Sequence, residues 1–309
     1  MADITATRIN NLHEKIKLIL GVGAGQNGYG QTLVSAPVNN LGDIATAEDL
    51  NNIYADIIKA RIHQVGVGDS SIAEVIQNLN TIALNTSTYV NDAGTSSVDP
   101  DGTKKGIVDF ENLMTSIEVD KFLLHPTQAE LEPGIESVRT ATWNGLIRHQ
   151  VIVNFADANA RRYFFNTGGE IRISTNNTSA STPKGLDWAE VCSQVGTVAF
   201  NYTSTTSTTG GAQAIGNYDL SVTDQTVYQK IGGGTYSAIY AGNIYTIKAR
   251  SDSANTITFT IEFNDVVTDN NVDNNVDGRL SSNIQHYRAS EVGGVTVDQP
   301  TYSNQITLA

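Results

Sequence analysis

The sequence predicts an α+β protein, with N-terminal helical segments followed by a mainly antiparallel β sandwich or barrel. Over the first 130 residues, apolar residues recur at spacings of three and four, as they do on one face of a helix. After residue 130 they mostly alternate with polar residues, as in half-buried strands, and clusters of turn residues separate the runs. We therefore expect a mainly helical assembly region at residues 1–130 and a mainly β domain at residues 131–309, with one short helix near residues 186–196.

Helical periodicity and capping signals predict four helices in the N-terminal region. Thr46 and Asp49 have the spacing of a capping box, which opens the second helix. His125-Pro126 ends the last helix, because the residue before a proline avoids helical conformations. Between the third and fourth helices, residues 85–105 are polar and are predicted to form a loop. The four helices are predicted at residues 5–20, from residue 46 to at least residue 58, at residues 71–81 and at residues 108–122.

The stretch from residue 143 to residue 173 predicts the core of the β domain. Apolar residues at odd positions indicate one strand before the polar turn at residues 156–160 and a second strand after it. Two such strands are predicted to form a hairpin. A glycine pair inside the second strand predicts a bulge, or a close approach of another backbone. The residues assigned an architectural role in this hairpin are Trp143, Tyr163, Phe165, Asn166, Gly168 and Gly169.

The remaining strands are predicted from shorter runs of strand-forming residues between turns. Residues 174–185 are predicted to be a surface loop. Leu186 is predicted to open the short helix, with Asp187 as its candidate cap. The strands are predicted at residues 197–202, 217–222, 226–231, 236–250 and 256–264, and residues 295–308 are predicted to form one more strand or an extended arm.

Charge and cysteine content exclude several function classes. The formal net charge is −13, and no cluster of Lys and Arg is present. Since phosphate recognition draws its affinity from such clusters, we expect no nucleic-acid partner and no anionic membrane partner. The single Cys192 excludes an intrachain disulfide and a cysteine zinc site. Charges within the first 20 residues exclude a secretory signal or membrane span there, so we expect a soluble product made in the cytoplasm.

Gly23, Gly25 and Gly28 have the GxGxxG spacing of dinucleotide-binding loops. Such a site needs the glycines between a strand and a helix, where free backbone amides meet the pyrophosphate. Here they follow a predicted helix and lead into an extended stretch. We therefore interpret them as a helix stop and a turn.

The candidate metal site is a DxNxDG sequence that resembles the start of a calcium loop. Its oxygen ligands would be Asp273, Asn275 and Asp277, with Gly278 for the sharp turn. The twelfth position is Ile284, where such loops supply a glutamate. The alternative is a solvated hairpin loop. No other cofactor is predicted.

No catalytic residue is predicted. The histidines stand far apart, and His149 occupies an inward strand position, where a hydrogen-bonded core histidine is expected. A His/carboxylate metal site or a Ser/His/Asp arrangement assembled in space stays open. Glu130 and Glu132 could form a glycosidase acid and base, but the sequence does not place them across a cleft. Five tyrosines could form a sugar-stacking face, or lie at strand ends and subunit contacts: Tyr228, Tyr236, Tyr240, Tyr245 and Tyr287.

Several segments resemble virion structural proteins of tailed bacteriophages, most closely those of T4-like phages of marine bacteria and cyanobacteria. The resemblance is carried by RRYFFNTGGEIRI at residues 161–173, the strand that Trp143 opens and the Leu-Asp-Trp at residues 186–188. YGQTLVS at residues 29–35 and IATAEDL at residues 44–50 are similar to segments of the same group.

The resemblance implies a non-enzymatic virion component that is made in the host cytoplasm and assembled into the particle. A tail-associated place, at the collar, baseplate or fibre attachment, is expected ahead of capsid decoration. Its partners would be other virion proteins and copies of itself in a cyclic homo-oligomer. The alternatives are a receptor-binding or glycan-binding module that contacts host surface glycan, and a polysaccharide hydrolase.

Overall fold

A computed structural model describes residues 6–38, 46–68, 107–235, 238–267 and 275–308. In this part of the chain, five α-helices and two antiparallel five-stranded sheets confirm the predicted α+β class. The helices are α1 Ala6–Ile19, α2 Ala47–Val65, α3 Ile107–Val119, α4 Ala158–Asn166 and α5 Pro183–Val195. The strands are β1 Ala129–Arg139, β2 Leu146–Asn154, β3 Glu170–Thr178, β4 Thr197–Phe200, β5 Thr205–Ser207, β6 Gln225–Ile231, β7 Ile244–Ser253, β8 Thr256–Asn264, β9 Arg279–Ala289 and β10 Thr301–Leu308.

The chain divides into two compact units. Two segments from the second half of the sequence belong to the first unit, although they lie within the predicted β domain at residues 131–309. Unit 1 consists of Met1–Glu130, Arg162–Gly168 and Arg288–Val297, and unit 2 of Leu131–Arg161, Gly169–Tyr287 and Asp298–Ala309.

None of the helices in the described part of the chain combines the length and apolar character that a membrane crossing requires.

Unit 1 is built on an apolar core between α1, α2 and α3. Tyr54 and Phe110 stack in this core, with ring centroids 3.6 Å apart. The predicted capping box is present, since Thr46 Oγ1 accepts the Asp49 amide and the Asp49 carboxylate accepts the Thr46 amide. α1, α2 and α3 confirm three of the four predicted helices. The predicted helix at residues 71–81 and the predicted loop at residues 85–105 lie outside the described residues. The fully buried core includes Ile9, Leu12, Ile16, Leu50, Ile53, Ile57, Met114 and Ile117.

Two ion pairs show that α1 and α3 run parallel. Arg8 Nη2 lies 2.7 Å from Glu111 Oε2, and Lys15 Nζ lies 3.7 Å from Glu118 Oε1. Both partners advance by seven residues between the two pairs, which is two helical turns on each helix. The C-terminal ends of these helices therefore lie at the same end of unit 1.

Tyr29 and Gln64 connect the C-terminal ends of all three helices. Tyr29 follows α1 and donates its hydroxyl proton to the Lys121 carbonyl, 2.6 Å away and just beyond α3. Gln64 lies in the last turn of α2 and donates to the Tyr29 hydroxyl at 3.1 Å. Its amide nitrogen also donates to the Ile117 carbonyl of α3 at 2.9 Å. We call the surface of unit 1 where the C-terminal ends of α1, α2 and α3 lie the helix-end surface.

Unit 2 is a sandwich of the two sheets. The first sheet has the strand order β1-β9-β3-β4-β5, and the second has the order β10-β2-β8-β7-β6. Phe200 of β4 and Phe259 of β8 meet edge to face across the core, with ring centroids 5.2 Å apart. Along β2 every second residue is buried, so its inward face contributes to this core.

One side of the sandwich is closed by main-chain hydrogen bonds. The edge strands on this side are β5 and β6. The Gln213 amide donates to the Val227 carbonyl at 2.9 Å, and the Gln213 carbonyl accepts the Thr205 amide at 3.0 Å. The Gln229 amide also donates to the Gly211 carbonyl at 3.0 Å. Residues 211–213 therefore join the two sheets through backbone atoms.

The predicted hairpin between residues 143 and 173 is wrong. β2 and β3 belong to different sheets, and α4 takes the place of the first half of the predicted second strand. Asp157 Oδ1 accepts the Ala160 amide at 2.8 Å and thus caps the helix start. Phe164 and Phe165 are both fully buried, although successive strand residues would point to opposite faces. On the helix, the neighbouring residues Phe164 and Phe165 both face inward.

The glycine pair ends α4 instead of forming a bulge. Tyr163, Phe165 and Asn166 lie on this helix. Gly168 has a φ of 80°, which is typical of the left-handed residue that ends a helix. A Cβ at Gly168 would lie 2.7 Å from a backbone oxygen of the neighbouring loop. Gly169 leads directly into β3.

Other predicted elements are confirmed only in part. The strands at residues 197–202, 226–231, 256–264 and 295–308 correspond to β4, β6, β8 and β10. The predicted strand at 236–250 begins only at Ile244, after a short 3₁₀ helix at Ala238–Gly242. The predicted strand at 217–222 is wrong, because residues 217–219 form a 3₁₀ turn in which Asn217 Oδ1 accepts a hydrogen bond from buried Arg161 at 2.7 Å.

The predicted cap of α5 is wrong as well. Pro183 occupies the first turn, and Thr182 Oγ1 accepts the Gly185 amide at 3.1 Å. The helix therefore starts before Leu186, and Asp187 is buried inside it. β3 also extends into the predicted surface loop as far as Thr178.

Candidate functional site

Asp277, one of the three ligands of the predicted calcium loop, is engaged in attaching α5. Asp273 lies outside the described residues, and Asn275 is exposed. Asp277 Oδ2 accepts the Ser181 amide at 2.9 Å and the Ser181 hydroxyl at 2.6 Å, and Oδ1 accepts the Thr182 hydroxyl at 2.7 Å. Burial would raise the pKa of Asp277, but the hydrogen bonds from Ser181 and Thr182 hold this pKa at about 2.

The backbone carbonyl of Asp277 also accepts a hydrogen bond that helps to attach the start of α5. Asn177 Nδ2 donates to the Asp277 carbonyl and to the Gly185 carbonyl, both at 3.0 Å. Gly278 has a φ of 109°, and a Cβ there would lie 2.5 Å from Asn177 Oδ1. In the described part of the chain, no group of three His, Cys, Asp or Glu side chains could hold a metal ion. Asp277 and Gly278 of the DxNxDG sequence thus serve the start of α5.

A His/Ser/Asp constellation does assemble in unit 1. His13 Nδ1 lies 3.0 Å from Ser35 Oγ, and Ser35 Oγ lies 2.6 Å from Asp56 Oδ2. The Ser35 amide also donates to Asp56 at 2.9 Å. All three residues are buried. Sequence reasoning did not identify these three residues, because they lie on α1, in the loop after it and on α2.

The order of these three groups opposes nucleophilic catalysis. In a catalytic triad the histidine lies between the nucleophile and the carboxylate, so that it removes the hydroxyl proton. Here Ser35 lies between His13 and Asp56, and its hydroxyl donates to the carboxylate. Because the Ser35 hydroxyl proton is donated to Asp56, the serine oxygen accepts from His13 Nδ1–H, and burial lowers the pKa of His13. The constellation attaches the loop after α1 to α2.

A second constellation in unit 2 has the histidine in the middle. His286 Nε2 lies 3.1 Å from Glu132 Oε2, and its Nδ1 lies 3.0 Å from the Tyr302 hydroxyl. Burial, followed by the charge of Glu132, raises the pKa of Tyr302, so the hydroxyl keeps its proton and donates it to His286. A tyrosine with a raised pKa is a poor nucleophile. These side chains connect β1, β9 and β10 rather than presenting a reactive oxygen.

The same region closes the second side of the sandwich through side chains. β1 and β10 are the edge strands here. Asn304 Nδ2 of β10 donates to Ser137 Oγ of β1 at 3.0 Å. Gly134 leaves room for the Tyr302 ring, since a Cβ at this position would lie 2.8 Å from two of its carbons. The proposed glycosidase carboxylates are both engaged, Glu132 with His286 and Glu130 with Arg288, whose Nη2 lies 3.4 Å away.

Three of the five tyrosines are not available for the sugar-stacking face that the sequence left open. Tyr228, Tyr240 and Tyr245 are fully buried in unit 2. Tyr287 lies under Arg172, whose guanidinium carbon is 4.1 Å from the ring centroid. Tyr236 lies outside the described residues.

No family model, curated protein or solved structure matches this chain.

The residues that carry the sequence resemblance hold the glycine-rich loop of unit 1. Arg162 donates to the Asn27 carbonyl at 2.8 Å and to the Val22 carbonyl at 2.7 Å. Asn166 Nδ2 donates to the Gly28 carbonyl at 3.0 Å. The loop therefore presents its carbonyls to α4, whereas a phosphate site would need its amides.

Trp143 has a packing role in unit 2. It is buried and exchanges backbone hydrogen bonds with Val276, at 2.7 and 3.0 Å. Its ring lies 5.4 Å from that of Trp188, and the Trp188 ring lies 5.9 Å from that of Phe263. These three rings form what we call the aromatic cluster, which connects α5 to β8.

Lys184 and Asp265 form an ion pair in which both side chains are 0% exposed, with Nζ 2.6 Å from Oδ2. Nζ also donates to the Val267 carbonyl at 2.6 Å and lies 3.3 Å from Asn144 Oδ1. Burial raises the pKa of Asp265 in spite of the neighbouring lysine. Removing two charges from water costs several kcal/mol for each ion. Sequence reasoning missed this pair, since Lys184 lies in the predicted surface loop.

Proposed function

We propose that the protein is a non-enzymatic structural component of a tailed-phage virion. It is tail-associated and acts through contacts with copies of itself and with other virion proteins. The resemblance of its segments to virion proteins supports the setting. In unit 1, Arg162 and Asn166 of those segments hold a loop in place. A likeness carried by such residues favours a common architecture over a common reaction.

The observation that carries the assembly role is the apolar character of the helix-end surface. Five large apolar side chains are exposed where α1, α2 and α3 end. Val119 is 78% exposed and Val67 is 66% exposed, and both follow or end a helix. Large apolar side chains that are exposed near the same end of a folded unit favour burial against a partner. The five residues are Leu18, Val22, Val67, Val119 and Leu123.

Charge and covalent chemistry fit a passive role. The net charge of −13 keeps free subunits apart and soluble, so assembly must draw on apolar burial and main-chain pairing rather than on charge attraction between copies. The glycan-binding alternative loses its main support, because three of the tyrosines on which it depends are buried.

Stepwise disassembly of purified phage particles tests the setting. Peptide mass mapping of each fraction should place this chain with the tails. Its absence from washed particles would contradict the virion role, and its release with heads would contradict the tail-associated place.

Charged substitutions on the helix-end surface test the assembly role. Val22→Asp and Val119→Asp should leave a folded subunit that fails to join copies or particles, measured by light scattering and particle incorporation. The matched control is Val222→Asp, at a residue that is 76% exposed in unit 2. Equal incorporation of all three variants would contradict the role of this surface.

A further inference from the structure

We propose that Lys184 and Asp265 become joined by an intramolecular isopeptide bond between the lysine amine and the aspartate side-chain carboxyl. The bond connects the first turn of α5 to the residue that follows β8. It is a self-modification that needs no cofactor and no partner chain.

The geometry already places the reacting groups together. Nζ lies 2.6 Å from Oδ2, and neither side chain has any exposed surface. The Asp265 backbone is fixed by its own amide, which donates to the Gly145 carbonyl at 2.8 Å. The Val267 carbonyl holds Nζ from the other side at 2.6 Å. Groups held in this way react with a high effective concentration.

The surroundings favour the uncharged forms that amide formation requires. The aromatic cluster includes Trp188, one helical turn beyond Lys184, and Phe263, two residues before Asp265. Burial opposes the charged form of the Asp265 carboxyl and raises its pKa. Transfer of one proton from Nζ to Oδ2 converts the ion pair into a neutral amine and a neutral carboxylic acid.

The condensation balances within the pair. The Nζ lone pair attacks Cγ of Asp265, which forms the N–C bond. The C–O bond to the protonated oxygen then breaks, and this oxygen leaves as water with one further proton from the nitrogen. One amine and one carboxylic acid give one amide and one water molecule, without an oxidant or a reductant. Because the site excludes solvent, hydrolysis of the amide, which is the reverse reaction, has little water available.

Neighbouring ion pairs of unit 2 lack this combination. Lys248 Nζ lies 2.8 Å from Glu262 Oε2, but the two side chains are 30% and 13% exposed. Water that reaches this pair keeps both groups charged, since it solvates the ammonium and the carboxylate. Lys248 is therefore the matched control for Lys184.

Intact-mass spectrometry of the denatured full chain tests the bond. The wild-type protein should be lighter than its sequence by one water molecule. Peptide mapping should recover a branched peptide that contains residues 184 and 265. Lys184→Arg should restore the full sequence mass, because arginine preserves the charge but does not condense with a carboxyl. Lys248→Arg should keep the loss of one water molecule, because Lys184 is still present.

Three outcomes would overturn the proposal. The first is a wild-type mass equal to that of the sequence. The second is the loss of one ammonia in place of water, which would place the link on Asn144, 3.3 Å from Nζ. The third is a water loss that persists in Lys184→Arg. The wild-type measurement and its branched peptide decide the question even if the variant fails to fold.

Discussion

His149 Nδ1 lies 2.8 Å from Ser282 Oγ, and this hydrogen bond joins the two sheets of unit 2 across their core. The ring is fully buried, and its edge packs against Phe263 with ring centroids 5.3 Å apart. Burial, followed by the charge of Arg139, lowers the pKa of His149 to about 4. The folded protein therefore holds a neutral imidazole here.

This buried histidine should make unit 2 sensitive to mild acid. The unfolded chain binds a proton below about pH 6.5, whereas the folded chain binds it only below about pH 4. The free energy of unfolding should thus be fully present above pH 6.5 and fall as the pH drops toward 4, by roughly 3 kcal/mol. Urea unfolding between pH 7 and pH 4 measures this slope.

His149→Gln should reduce that slope, because glutamine does not titrate. The control is His125→Gln, at a histidine whose Nδ1 bonds Thr127 near the surface. His63 of unit 1, whose pKa burial also lowers to about 4, supplies a remaining slope of the same sign. An unchanged slope in His149→Gln would show that His149 is not the source of this pH dependence.

Asn166→Ala should destabilise unit 1. It removes the donor to the Gly28 carbonyl, which is 3.0 Å from Asn166 Nδ2, and leaves a buried acceptor without it. The expected loss in the free energy of unfolding is roughly 1–3 kcal/mol. Thermal unfolding compares this variant with Asn112→Ala, at an exposed position of α3. Equal midpoints would show that α4 does not hold the glycine loop.

Asp277→Ala should destabilise the start of α5. The carboxylate accepts hydrogen bonds from Ser181 and Thr182, and the loss is expected to be roughly 1–3 kcal/mol. Because the folded pKa is about 2, below that of an ordinary aspartate, this contribution is present above about pH 4 and disappears as the pH falls toward 2. Chemical unfolding at pH 7 and pH 3 measures it, with Asp298→Ala, at an exposed aspartate, as the control.

Calcium should leave the unfolding midpoint unchanged. Asp277, which the calcium loop needs as a ligand, already accepts hydrogen bonds on both of its oxygens. Differential scanning calorimetry with added calcium, and then with a chelator, measures the midpoint. A rise with calcium that Asp277→Ala abolishes would reinstate the metal site at Asp273, Asn275 and Asp277.

Gly134→Ala should weaken the contact between β1 and β10. The added methyl group would lie 2.8 Å from the Tyr302 ring and from the Ile284 carbonyl oxygen. Overpacking of this kind costs about 1–3 kcal/mol. Gly68→Ala is the control, because a Cβ there meets no atom within 4 Å. Hydrogen exchange of the β10 amides should accelerate in Gly134→Ala, and unchanged exchange would contradict the close packing.

Periodicity and capping signals predicted the helices of unit 1 well, because each signal acts within one or two turns. The Thr46–Asp49 capping box and the apolar face through Ile9 and Ile16 depend only on local spacing. His149 was also predicted as a hydrogen-bonded core residue, since strand alternation gives the side of a residue without knowledge of its partner.

The error at residues 158–166 has a local cause. Tyr163 and Phe165 fit a two-residue period, but Phe164 between them is equally apolar. Asp157 and Gly168, which lie at the two ends of α4, are the signals that favour a helix. Those signals outweigh an alternation that extends over only three residues.

The buried polar clusters could not be predicted, because their members come from distant parts of the chain. Lys184 and Asp265 meet only when α5 packs beside β8. β1 and β9 were missed for a related reason. Their charged residues, such as Glu136 and Arg279 at 2.9 Å, pair across strands, so each strand alone looks like a polar loop.

The two sides of the sandwich should respond differently to mechanical force. Backbone pairing through residues 211–213 resists separation of β5 from β6, whereas in the described part of the chain side chains such as Tyr302 and His286 connect β10 to the opposite sheet. Under tension we expect the β10 flank to open first, with residues 211–213 as the hinge. A subunit anchored near its C-terminal strand would therefore yield gradually before its core is exposed.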